Sequence, residues 1–117
     1  MSTMQFQFNT DSSVMGTAEV STRIEAQVRH RLARFAERLT RLEVHVSDVN
    51  GRKAGGDDKH CTIEARPRGG RPIGVTGKAA DVDAAARIAA NMMAERLERV
   101  FGKAERHRHD PSPDKQI

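Results

Sequence analysis

Apolar and polar residues alternate in four short stretches of the chain and recur at helical spacing in two longer ones. Strict alternation is typical of a strand with one buried face, whereas apolar residues three or four positions apart indicate an amphipathic helix. These patterns predict six elements in the order β-α-β-β-β-α. The predicted strands cover residues 4–9, 42–47, 60–66 and 71–77, with a polar loop at residues 49–59.

Both predicted helices carry a single apolar stripe. The first is predicted from Thr22 to Thr40 with Ser21 as its N-cap, because a Ser hydroxyl can accept a hydrogen bond from the first helical turn. The second is predicted to begin at Asp81 and to end near Gly102 or one turn later. The first stripe comprises Ile24, Val28, Leu32, Phe35 and Leu39, and the second comprises Val82, Ala85, Ala86, Ala89, Met93, Leu97 and Val100.

A four-stranded mixed sheet with both helices packed on one face satisfies every apolar stripe. The helix between the first two strands allows them to be parallel, and the last three strands can form an antiparallel meander. We therefore predict an α+β fold. The polar strand residues expected on the face away from the helices are Gln5, Gln7, Glu43, His45, Ser47, Thr62, Glu64 and Thr76. The residues expected to be buried are Ile24, Val28, Phe35, Val44, Val46, Ile63, Ala86, Met93 and Leu97.

The length of 117 residues allows one domain and a short tail. We assign the domain to residues 1–104 and expect residues 105–117, which lack an apolar pattern, to be a disordered tail. A single Cys excludes an internal disulfide and a multi-cysteine metal site. No apolar run approaches the roughly 20 residues of a membrane span, and the first residues lack the pattern of a secretory signal. The sequence therefore predicts a cytoplasmic protein that makes no membrane contact.

Positive charge is concentrated in two segments of a chain whose net charge is +4. Residues 21–41 contain six Arg and two Glu, and residues 96–108 contain five basic and two acidic residues. Such segments favour a polyanionic partner, because Lys and Arg that face phosphates release counterions on binding. The absence of Trp and Tyr argues against a site that stacks single-stranded bases on aromatic rings.

The basic residues of the first predicted helix fall along one ridge. Arg can grip a phosphate with two donors, and neighbours three or four positions apart lie about 5 to 6 Å from one another. The ridge is thus a candidate nucleic-acid interface, and a solvated helix face is the alternative. It comprises Arg23, Gln27, His30, Arg34, Arg38 and Arg41, with Arg31 beside it. The second helix extends the pattern less clearly, because Glu95, Glu98 and Glu105 lie among its basic residues and could pair with them.

No arrangement of residues predicts an enzyme. Strand alternation places Cys61 inward and both His45 and His60 outward, so these side chains cannot converge on a metal or form a catalytic pair. The segment 74–78 lacks the Gly spacing of a phosphate-binding loop. We therefore predict no catalytic residue, no metal site, no cofactor and no small-molecule substrate, and we expect Cys61 to be a buried structural residue.

Two local patterns, in this element order, resemble one known family. The segment VSTRIEAQVRHRLARF at residues 20–35 is similar to the first helix of the ribosome hibernation-promoting factor and ribosome-associated inhibitor A family, whose members include sigma-54 modulation proteins. The segment GKAADVDAA at residues 77–85 is similar to that family's entry into the second helix. The resemblance covers about residues 4–104. One departure is Asp83, which stands where the family commonly has an aromatic residue.

The resemblance implies a fold similar to a double-stranded-RNA-binding domain. It also implies binding to the small ribosomal subunit and its rRNA, in the channel used by messenger and transfer RNA, with inhibition of translation during stress. The short chain implies a form without a second, dimerising domain, and a monomer off the ribosome. The basic positions that match the family pattern are Arg23, Arg31, Arg34, Lys78, Arg99 and Lys103.

Two other functions remain open at this point. One is a free double-stranded or regulatory RNA-binding module. Such a module normally places a key Lys at the start of its last helix, where this chain has only Lys78 before the acidic Asp81 and Asp83. The other is a stress regulator that acts on a protein partner.

Overall fold

The computed structural model of the chain describes residues 4–10, 18–48 and 59–109, with side chains through residue 102. The element order β-α-β-β-β-α is confirmed. The elements are β1 (Gln5–Thr10), α1 (Ala18–Arg31), a 3₁₀ helix (Ala33–Arg38), β2 (Leu39–Asp48), β3 (Lys59–Pro67), β4 (Ile73–Ala79) and α2 (Val82–His109). Residues 49–58 of the predicted loop and the last eight residues of the predicted tail lie outside the described residues, and Lys59, predicted to end the loop, begins β3.

The four strands form one sheet in the order β1-β2-β3-β4. The β1–β2 pair is parallel and the other two pairs are antiparallel, as predicted. Helix α2 packs on β3 and β4, and α1 packs beside α2. His45 pairs with Thr62 across β2 and β3 and is exposed, whereas its neighbours Val44 and Val46 are fully buried. The predicted strand register is therefore confirmed.

The predicted extent of the first helix is wrong at both ends. The helix begins at Ala18, so Ser21 lies inside α1 and is not its N-cap. It ends at Arg31, and the backbone of Leu32 (φ −106°, ψ 14°) leaves the helical conformation. At Leu39 the chain is extended (φ −116°, ψ 142°) and already pairs with Pro67 of β3.

The apolar spacing explains why this boundary was missed. Leu32, Phe35 and Leu39 are all buried, as the predicted helical stripe requires. A 3₁₀ helix has three residues per turn, so Leu32 and Phe35 still face the same side, and Leu39 then enters the sheet. The same three side chains are thus buried in the core although the backbone between them is not α-helical.

The core lies between the sheet and the two helices. All nine residues predicted to be buried are buried, a result that confirms the predicted buried faces of the two helices, β2 and β3. One position of the second stripe is wrong: Val100 is 37% exposed, and its neighbour Phe101 is buried instead. Phe101 lies 5.8 Å from Phe35, centroid to centroid, and so joins the C-terminal half of α2 to the 3₁₀ helix.

Helix α2 lies directly on β4 at Gly77. A Cβ atom at this position would stand 2.5 Å from the carbonyl oxygen of Ala85 and 2.6 Å from the amide nitrogen of Ala89. Both are backbone atoms, so no side-chain rotation could make room. The small residues of α2 therefore have a specific role, since they allow the helix backbone to touch the strand.

Helix α2 is longer than the sequence predicts. It continues to His109, beyond the expected end near Gly102 or one turn later. In the described ranges no helix is both long enough and apolar enough to cross a membrane.

Asp81 caps α2, and its replacement by alanine is expected to lower the free energy of unfolding by about 1 kcal/mol. Its Oδ1 accepts a hydrogen bond from the backbone N–H of Ala84 at 2.7 Å, which satisfies a donor of the first turn. Thermal unfolding followed by circular dichroism measures the effect. Asp81→Asn, which preserves the acceptor, should retain most of the stability; equal losses in both variants would contradict the cap.

Candidate functional site

The part of the predicted ridge from Arg23 to Arg34 lies on α1 and the 3₁₀ helix and faces α2. Arg23 donates from Nε and Nη2 to the two carboxylate oxygens of Asp83, each at 3.0 Å. Arg34 makes the same bidentate contact with Glu98, with both hydrogen bonds at 3.1 Å. The ridge is therefore not a row of isolated cations.

Arg31 adds a third contact between the helices. Its Nε donates to Oδ1 of Asn91 at 2.7 Å. We call the three contacts Arg23–Asp83, Arg31–Asn91 and Arg34–Glu98 the inter-helix ladder. Residue numbers rise together along both helices, so α1 and α2 run in the same direction, as expected when β1 and β2 are parallel and β2, β3 and β4 form an antiparallel meander.

The ladder remains open to solvent. The side chains of Arg23 and Arg34 are 53% and 52% exposed. Each guanidinium has five N–H donors, of which its carboxylate takes two, so donors remain for a phosphate that approaches from outside. Pairing two of the ridge arginines with acids reduces the local charge but holds their planar groups in fixed positions.

Ion pairing across the ladder keeps its charges in place at neutral pH. The hydrogen bond from Arg34, and then its positive charge, lower the pKa of Glu98. The hydrogen bond and the charge of Asp83 raise the pKa of Arg23. A carboxyl group with a lowered pKa stays ionised until the pH falls through that value, so the Arg34–Glu98 ion pair breaks only in acid.

The remaining ridge positions diverge. His30 is exposed on α1, and the Arg38 guanidinium lies 4.1 Å from the centroid of the Phe101 ring. Arg41 does not continue the ridge, which corrects the predicted alignment. It lies in β2, bonds Gln7 and stands 3.5 Å from Glu43. The helix ends at Arg31, and the chain has therefore turned into the sheet before it reaches Arg41.

Two other candidate positions, Lys78 and Arg99, make no ladder contact. Lys78 is exposed in β4, on the face that alternation assigns to the polar strand residues, and Arg99 is exposed on α2. The side chain of Lys103 lies outside the described residues. The structure thus brings Arg23, Arg31 and Arg34 together and puts Arg41 and Lys78 on the open face of the sheet.

The open face of the sheet carries both signs of charge. The hydroxyl oxygens of Thr62 and Thr76 lie 3.0 Å apart across β3 and β4. This face therefore presents both signs of charge to a polyanion, as the ladder does through Asp83 and Glu98. A shallow hollow on it is lined by Gln5, Thr40, Arg41, Glu43, Glu64, Arg66 and Pro72.

Cys61 is fully buried, and burial raises the pKa of its thiol to about 12. The thiolate is the reactive form, so we expect no reaction of the folded protein with a disulfide reagent at pH 8, and one equivalent after unfolding in guanidinium. Absorbance of the released thiol measures both. Rapid labelling of folded protein would contradict the packing around β3.

Among the described residues, no group of three or more His, Cys, Asp or Glu could hold a metal ion.

The partners of the ridge on α2 were missed from the sequence. Glu98 was expected to pair, if at all, with basic residues of its own helix, but it pairs with Arg34 of the 3₁₀ helix. A signal was present: Asp83, Asn91 and Glu98 are eight and seven residues apart, about two helical turns each, and so share one edge of α2.

Comparison with known proteins gives one family and two similar structures. A family model described as Sigma 54 modulation protein / S30EA ribosomal protein matches residues 15–105. No functionally curated protein matches the chain. The Protein Y N-terminal domain from Thermus thermophilus has a TM-score of 0.63 at 19% identity, over 83% of this chain and 98% of that one. A ribosomal subunit interface protein from Coxiella burnetii has a TM-score of 0.68 at 11% identity, over 85% and 99%. At these identities the two structures show a shared fold.

Proposed function

Because this chain belongs to the sigma 54 modulation protein / S30EA ribosomal protein family, we propose that it is a ribosome-associated translation inhibitor and hibernation factor. The observation that carries the proposal is the family match, which spans residues 15–105 and thus includes both helices of the ladder. The two similar structures, the Protein Y N-terminal domain and a ribosomal subunit interface protein, support the same assignment.

The proposed partner is the small ribosomal subunit with its rRNA, at the channel for messenger and transfer RNA. A domain that occupies this channel inhibits translation by exclusion, so the proposal requires neither catalysis nor a cofactor. The proposed contact surface is the solvent-exposed side of the inter-helix ladder, which we call the ladder edge. There Arg23, Arg31 and Arg34 present exposed guanidinium donors. Counterion release from rRNA would supply much of the binding free energy and make it sensitive to salt.

The carboxylates of the ladder set the strength of this contact. A phosphate that approaches Arg23 or Arg34 must share the guanidinium with Asp83 or Glu98. The acids therefore weaken binding to any polyanion while they hold the arginines in a defined geometry. A surface of this kind favours a partner whose phosphates match that geometry over one that offers charge alone.

Removal of the two ladder acids is expected to tighten ribosome binding. The variant D83N/E98Q frees both guanidinium groups and should bind several-fold more tightly at moderate salt. Ribosome pelleting at fixed ionic strength measures the change. The matched control E37Q/E64Q makes the same change in net charge at positions outside the ladder. An equal gain in both variants would show that only net charge matters.

A free double-stranded-RNA-binding module is less well supported by the start of α2. Phosphate contacts are favoured where a helix N-terminus offers unpaired N–H groups. Here the Asp81 carboxylate accepts the N–H of Ala84, and Asp83 adds a second carboxylate in the first turn. The N-terminus of α2 is therefore a poor phosphate site by itself, and the donors available next to it belong to Arg23 of α1.

Sucrose-gradient sedimentation with purified ribosomal subunits tests the proposed function. We expect the protein to migrate with the small subunit at low salt and to return to the top of the gradient as salt rises. Duplex RNA added in excess should not displace it. A protein that stays at the top with both subunits, or that leaves the small subunit for duplex RNA, would overturn the proposal.

A further inference from the structure

A groove opens where the 3₁₀ helix, the β3–β4 turn and α2 meet. Its volume is about 680 Å³, which is within the range of sites that hold a small ligand or several side chains. Buried Pro67, Ile73 and Phe101 form its apolar floor, and exposed Val100 stands beside them. Four arginines surround this floor: Arg38, Arg68, Arg71 and Arg96.

The walls of the groove are tied to one another. The backbone N–H of Arg68 donates to the carbonyl of Arg38 at 3.0 Å, and Arg68 Nε donates to the carbonyl of Glu37 at 2.8 Å. Gly69 has φ +69°, a conformation that glycine adopts without strain, and it closes the turn between β3 and β4. The groove is therefore a formed feature that a ligand would not have to assemble.

The charge of the groove favours an acidic ligand. Four guanidinium groups line it against a single carboxylate, that of Glu37. Within the described part of the chain, Arg71 and Arg96 have no hydrogen bond or ion pair, so their donors are available. An aspartate or glutamate side chain can accept two parallel hydrogen bonds from such a group.

The floor favours a protein segment over a nucleic acid. Base recognition in single strands relies on an open aromatic ring, but Phe101 is only 9% exposed and the Arg38 guanidinium covers its face. The accessible apolar surface is aliphatic, at Val100. We propose that this groove docks an acidic peptide segment that inserts an aliphatic side chain against Val100 and places carboxylates on Arg71 and Arg96. This second interaction surface contains none of the ladder residues.

Fluorescence anisotropy with two labelled peptides tests the proposal. The first probe is an acidic peptide with two central leucines, and the second has serines in their place. We expect the first to bind and the second to bind at least severalfold more weakly, because only the first fills the apolar floor. R71Q/R96Q should lower the affinity about tenfold or more, since it removes two charge-assisted hydrogen-bonding partners. Val100→Ser should lower it without a change in net charge.

Matched variants separate this site from general charge. R66Q/R99Q removes two exposed arginines outside the groove, and Met92→Ser removes an exposed apolar side chain from another face of α2. Both should bind the first probe as the parent does. The proposal is overturned if the first probe does not bind, if serines do not weaken it, or if control and groove variants lose affinity equally. It is also overturned if a single-stranded oligonucleotide displaces the probe and depends on the same arginines, because the groove would then be a nucleic-acid site.

Discussion

Gly77→Ala is expected to lower the free energy of unfolding by about 3 kcal/mol, because it forces α2 away from the sheet. The added Cβ would lie 2.5 Å and 2.6 Å from backbone atoms of Ala85 and Ala89. Relief requires the helix to shift as a body, and the shift would loosen the packing of Met93 and Leu97 in the core.

Urea unfolding measures this effect, and the same strand offers a control. Gly74 is exposed in β4, and a Cβ built there has no neighbour within 4 Å. Gly74→Ala should therefore leave the unfolding midpoint nearly unchanged. Similar midpoints for Gly77→Ala and the parent would mean that α2 does not lie on β4 as described.

The second large effect is expected from R23Q/R31Q/R34Q, which should reduce ribosome binding strongly at low salt. Removal of each arginine–phosphate interaction should lower the slope of log affinity against log salt by about one unit, so the slope of the triple variant falls by up to about three. The substitutions also break the ladder, but its side chains are exposed to solvent, and thermal unfolding should change little. Ribosome pelleting over a salt series measures the slope, with circular dichroism to verify folding.

A matched triple variant shows whether position or charge is responsible. R66Q/R71Q/R96Q removes the same charge from exposed sites on the open sheet face and around the groove. It should retain most of the parent affinity and slope. Equal losses in both triple variants would mean that the protein is held to ribosomes by net charge and not by the ladder edge.

The sheet could be predicted in detail because its pattern has a period of two. A shift of one residue in β2 would have exposed Val44 and Val46 and buried His45, so only one register was compatible with the alternation. The end of α1 could not be predicted in the same way. Leu32 and Phe35 fit both a helical and a 3₁₀ stripe, and the outcome depends on Leu39 pairing with Pro67, a residue distant in sequence.

Only the basic side chains of the candidate site could be predicted from the sequence. Arg23, Arg31 and Arg34 were visible as a basic ridge, but their partners lie 60, 60 and 64 residues away. Local patterns reveal which side chains share one face of a helix, not which face of another helix they meet. The ladder therefore depends on how α1 and α2 pack against each other, and no periodic pattern in the sequence encodes that packing.

Electron cryo-microscopy of the protein bound to the small ribosomal subunit would show directly which surface meets the rRNA. We expect the domain in the channel for messenger and transfer RNA, with guanidinium groups of Arg23, Arg31 and Arg34 at hydrogen-bond distance from rRNA phosphate oxygens. The open face of the sheet should carry fewer phosphate contacts than the ladder edge. A domain bound outside this channel, or one that turns Arg41 and Lys78 toward the rRNA and the ladder toward solvent, would contradict this expectation.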